Sequence, residues 1–196
     1  MKGRIGVSIE PSPERVDLEL AILNKLGKMP VMMRLYHHKG KKQWDFAIGV
    51  LKKLSKRGYP VSAALVQDRS AVLDPGKWVD FARYAVDNMA DFVESVEIGH
   101  AINRVKWGIW DMKEYGCMLE PVRELAEKYP GIIFHGPAVI DFEYHYLVSV
   151  LKELPDGFRF GALSHHLYVD RRGAPEMYQG PFSTLEKCVL ARAIGR

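Results

Sequence analysis

Apolar runs alternate with amphipathic segments along nearly the whole chain, and this alternation limits the fold more than any single motif does. Strand-like runs fall at 4–9, 29–36, 61–66, 95–99, 132–138 and 161–167. Between and after them, helical spacing predicts helices over 14–25, 45–56, 75–89, 115–128, 144–154 and 183–194. Val16, Leu20, Leu23 and Leu26 fall near one face of the first helix, and Trp78, Phe81, Ala82, Ala85 and Met89 line the third, which makes Trp78 a core residue. Leu119, Val122, Leu125 and Ala126 do the same for the fourth. Ser183 and Glu186 have the spacing of a capping box. Most of the strand runs are apolar along their length rather than alternating, which is the pattern of a parallel sheet covered by helices.

Two α/β architectures fit six such units: an open doubly wound sheet, or a TIM-type (β/α)8 barrel. The open sheet announces its ligand with a glycine-rich turn after the first strand. Here that turn is Glu10-Pro11-Ser12-Pro13, and neither GxGxxG nor a P-loop occurs. Polar side chains instead follow nearly every strand: Glu10, Arg34 to His38, Gln67 to Arg69, His100 to Asn103, Asp141 to Glu143, and His165 to Asp170. A ring of functional groups at strand C-termini is the pattern of a barrel mouth, so the barrel is the expected fold, as a single domain over 1–196. Only the first six βα units are present, where the fold has eight in roughly 250 residues. Either the chain is part of a longer protein, incomplete at its C-terminus, or a second copy covers the open barrel edges as a homo-oligomer.

Composition narrows the partners. The net charge of +4 is spread along the chain, and its densest run, Lys39-Gly40-Lys41-Lys42, reads as a solvated loop. With no zinc-finger, helix-turn-helix or aromatic–basic repeat, no nucleic acid is expected. No apolar run reaches the ~20 residues of a membrane span, and the N-terminus lacks the apolar core of a signal peptide. No membrane partner is therefore expected, and the cytoplasm is the default location. Cys117 and Cys188 both lie in apolar helical patterns and read as small buried hydrophobes.

The chemistry concentrates in Val96-Glu97-Ile98-Gly99-His100-Ala101-Ile102-Asn103, with Lys106-Trp107 beyond. This stretch resembles the end of strand four in the retaining (β/α)8-barrel glycoside hydrolases, which read Glu-Ile-x-Asn-Glu-Pro-Asn there. Met32-Met33-Arg34 is similar to the end of their strand two, where an arginine supports the nucleophile. Gly136-Pro137-Ala138 would be strand five. Leu163-Ser164-His165-His166-Leu167-Tyr168 looks like the end of strand six, where a His-x-Tyr pair faces the sugar. The resemblance covers nearly the whole chain and implies a saccharide or glycoconjugate ligand and no cofactor.

The departures from that pattern weigh more. The family's mechanism needs two carboxylates about 5 Å apart. The acid/base position falls on Ala101, the asparagine before it on His100, and the nucleophile would lie on a seventh strand beyond the chain. By resemblance, then, the barrel binds or descends from enzymes acting on a saccharide and lacks the usual retaining activity. Three residues remain as substitutes. His100 titrates near neutral pH, although on an extended strand it would point away from the Ala101 side, so only a bent strand end would bring it in. Glu97 shares the parity of Ala101 but lies deeper, and Glu10 ends strand one. Arg34, His37, Asn103, Trp107, His166 and Tyr168 are the expected ligand contacts. A non-catalytic assembly protein is one alternative. A metal-dependent hydrolase built on His37, His38, His100, His165 and His166 is another, but no His-x-His or His-Glu-x-x-His spacing supports it, so no metal is expected.

Overall fold

The computed structural model describes residues 5–166 and 181–195. Six strands alternate with helices: β1 (Val7–Ile9), β2 (Val31–Tyr36), β3 (Val61–Val66), β4 (Ser95–Ile98), β5 (Ile133–Ile140) and β6 (Ala162–His166). The helices are α1 (Val16–Leu26), α2 (Gly40–Lys56), α3 (Arg69–Leu73), α4 (Pro75–Met89), α5 (Met112–Lys128), α6 (Tyr144–Lys152) and α7 (Thr184–Ile194). Short 3-10 turns follow β2 at His37–Lys39 and β4 at Val105–Trp107.

The sheet order is β1-β2-β3-β4-β5-β6, and every neighbouring pair is parallel. A doubly wound sheet reverses its strand order partway across. This one does not, and the six strands curl into a half-barrel of the TIM type with the helices outside. Register fixes the two faces, because paired residues share a side. Met33, Ala63, Val96 and Phe134 form one row, and all four belong to the buried core under the helices. The next row up, Arg34, Ala64, Glu97 and His135, lies on the inner face.

The helices form where the sequence places caps and apolar stripes. Asp74 caps α4 by accepting from the Gly76 and Lys77 amides, and Pro75 fits the first turn, where its missing N–H costs nothing. Trp78, Phe81, Ala82, Ala85, Val86 and Met89 are the buried stripe of that helix. At about 1.5–3 kcal/mol for each large buried side chain, this one face anchors α4 to the sheet. Ser183 and Glu186 form the expected capping box of α7.

Three expectations need revision. α3 has no counterpart in the sequence reading, because five residues are too few to show a period; Asp68, accepting from the Ser70 and Ala71 amides, starts it. α2 begins at Gly40, not at 45. Cys117 and Cys188 are both exposed. The buried stripe of α5 runs through Tyr115, Met118, Leu119, Val122 and Leu125, and Cys117 lies off it. Among the described residues no helix is long and apolar enough to cross a membrane.

Candidate functional site at the end of strand β4

β4 stops at Ile98, and the chain then turns sharply. Gly99 has φ 81° and Ala101 φ 49°, both left-handed, with His100 between them. Three contacts hold the turn. The Gln67 side chain clamps His100: its Nε2 donates to the His100 carbonyl at 2.9 Å, and the His100 amide donates to its Oε1 at 2.8 Å. The Tyr115 hydroxyl donates to the Ile98 carbonyl at 2.6 Å. The Ala101 amide donates to the Ala138 carbonyl at 3.0 Å. Simple alternation would send the His100 ring away from Glu97. The turn instead leaves it 5.3 Å from the His166 ring and 4.5 Å from that of Trp107, edge to face. This is the bent strand end that His100 required.

Glu97 lies beneath, 2% exposed. Its Oε1 is 3.1 Å from His166 Nε2 and 3.8 Å from His135 Nδ1. Burial alone would raise the Glu97 pKa, but the hydrogen bond from His166 and the charges of His166 and His135 outweigh it and hold the carboxyl below its ordinary value. His100 is pushed down to about 4, first by burial and then by the positive charges of Arg34 and His166. At neutral pH the site therefore holds an ionised carboxylate beside an uncharged His100. Burial likewise lowers His135.

Arg34 is separated from Glu97 in its row by Ala64, whose single methyl leaves the inner face open for the long arginine side chain. Arg34 Nε, Glu97 Oε2, His100 Nδ1 and Trp107 Nε1 are all buried with no partner among the described residues.

The other expected site residues are engaged elsewhere. Glu10 accepts from the Tyr36 hydroxyl at 3.0 Å and pairs with Lys39 at 3.1 Å, in a half-exposed position. His37 Nδ1 lies 2.7 Å from Asp68 Oδ2, and its ring packs against Trp44 and Phe81 in the helix layer. Asn103 Oδ1 accepts from the Ile140 amide at 2.9 Å, while its Nδ2 donates to the Ile140 carbonyl and to Glu143, each at 2.8 Å. It braces the β4 loop against the end of β5. Tyr168 lies outside the described residues. Gln67 and His135 belong to the site although sequence reasoning did not single them out. Gln67 carries the weak signal of being the first polar residue after β3, whereas His135 is hidden inside an apolar run.

The fold and this inner-face cluster define a TIM-like partial barrel with a carboxylate–imidazole site at its strand ends. Among the solved structures that resemble the chain are the virulence factor SghA from Agrobacterium tumefaciens, and SghA in complex with its substrate analog salicin. Each is 12% identical, with a TM-score of 0.46, over 65% of this chain and 36% of SghA. The chain thus spans about a third of the length of SghA. No protein-family model matches the chain, and no curated protein matches it.

Proposed function

We propose that the strand ends of this half-barrel bind a saccharide or similar polyhydroxylated ligand, without hydrolysing glycosides by the retaining mechanism. The observation that carries the reading is the set of unpaired polar atoms around the β4 turn, two donors on Arg34 and Trp107 and acceptors on Glu97 and His100. Sugar hydroxyls both donate and accept, so one ring can serve both kinds of group. Arg34, His166 and the Trp107 ring form the partly exposed rim, with Glu97 and His100 below. A retaining glycosidase needs a carboxylic acid with a raised pKa as proton donor. Ala101 supplies no proton, and the pKa of Glu97 is moved in the opposite direction. A second copy of the chain against the β1 or β6 edge belongs to the same proposal.

A saccharide panel screened by calorimetry, alongside chromogenic aryl-glycosides, tests the reading. Binding without turnover is expected. Arg34→Met should weaken binding at least about tenfold, the value of one lost charge-assisted hydrogen bond. Failure of every saccharide to bind at millimolar concentration, or turnover that His100→Ala abolishes, would overturn it. A monomer at high concentration in light scattering would count against the second copy.

A further inference from the structure

We infer that Glu97, His100 and His166 form the binding site of one divalent transition-metal ion such as zinc. β4 supplies Glu97, the turn after it supplies His100, and β6 supplies His166. One carboxylate oxygen and one nitrogen from each imidazole all lie within 4.8 Å of one another. Two histidines and a carboxylate are the donor set of open zinc sites, which keep a fourth position for water or substrate. With metal–ligand bonds of about 2.1 Å, tetrahedral donors sit about 3.4 Å apart, so side-chain movements of about 1 Å close the shell.

The burial of the cluster favours an ion over a larger occupant. Glu97 and His100 are 2% and 4% exposed, and Glu97 Oε2 and His100 Nδ1 are out of reach of solvent with no partner among the described residues. An ion takes ligands from both atoms at once, which a single hydroxyl hydrogen atom does not. Leaving both unpaired is unfavourable, and a shared cation satisfies the two together. The other oxygen, Oε1, faces His135. His166 ligates as an uncharged imidazole, so the proton on its ligating nitrogen leaves when the ion binds. Arg34, a cation in the same inner-face row as Glu97, opposes the ion, and this predicts that Arg34→Met tightens metal binding.

The inference does not rest on the saccharide reading, and its test contains no saccharide. The full chain, freed of metal by a chelator, is titrated with cobalt(II) and followed by ligand-field absorption, with zinc as competitor. One cobalt per chain, displaced by zinc, is expected. Glu97→Gln and His166→Gln should each weaken it by at least about 100-fold, more than loss of a supporting outer contact does. His38→Gln should leave it unchanged. Circular dichroism checks folding; if Glu97→Gln unfolds the chain, His166→Gln, at the partly exposed edge of the cluster, decides. Absence of saturable cobalt binding, or binding that survives His166→Gln, overturns the site and leaves a buried polar cluster.

Discussion

One of the three contacts that hold the His100 turn is a single hydroxyl, and removing it gives a quantitative test of the turn. Tyr115 is fully buried on α5 and donates to the carbonyl of Ile98, the last residue of β4 before Gly99. Tyr115→Phe keeps the ring and deprives that buried acceptor of its donor. The cost is about 1–2 kcal/mol, at the low end for a buried unsatisfied group because the packing is otherwise conserved. For a chain of this size each kcal/mol lowers Tm by about 2–4 °C. The urea midpoint should fall by roughly 0.5–1 M, taking m near 2 kcal/mol/M. Burial, with the Glu97 charge second, raises the Tyr115 pKa well above its ordinary value, so the hydroxyl remains a donor into the alkaline range. Urea unfolding followed by tryptophan fluorescence should therefore give the same loss at pH 6 and pH 9. An unchanged midpoint, or a loss that vanishes by pH 9, would refute this account of the turn.

Three further outcomes follow from neighbouring features. Gly99→Ala should cost about 2–4 kcal/mol in the same assay, because an L-residue is strained at φ 81° and its Cβ would lie 2.9 Å from Tyr115 Cε2; a neutral effect would mean that the turn relaxes freely. Burial on its own would raise the Asp68 pKa, but hydrogen bonds from His37, Ser70 and Ala71 outweigh it and bring it from 3.8 to about 2. The pKa is depressed, so this stabilisation of at most about 2 kcal/mol is complete above pH ~4 and disappears as pH falls through 2. Asp68→Asn should flatten that limb of the stability–pH curve, and an identical limb in the variant would reject the pair as its source. Ala101→Glu, at a fully buried position, should destabilise by several kcal/mol and yield no aryl-glycoside turnover; measurable turnover would show that a carboxylic acid at this position can act on a glycoside.

Much of the scaffold was legible because it rests on local pattern. The helix expected over 75–89 is α4 to the residue, and Trp78 is in the core, because cap, proline and apolar stripe all lie within that segment. The half-barrel was legible from the order of units and the absence of a glycine-rich turn. The site was less so, because its geometry depends on partners far along the chain. His37 and Asn103 follow strands and read as mouth-facing, yet Asp68 claims one, and Ile140 with Glu143 claims the other, across 31 to 40 residues. His100 reads as facing away by strand parity. Only the left-handed turn at Gly99, invisible to a period-2 argument, brings it to Glu97.

Because each strand pairs only with its immediate predecessor and successor, every ladder closes over a single helix-bearing connection. The sheet can assemble by accretion, one unit upon the next, with no early closure of a long loop to slow it. The same order predicts a graded resistance to local opening. Amides of β3 and β4, which must lose a neighbour on each side, should exchange with solvent last. Those of β1, three residues long with one neighbour in the sheet, should exchange first.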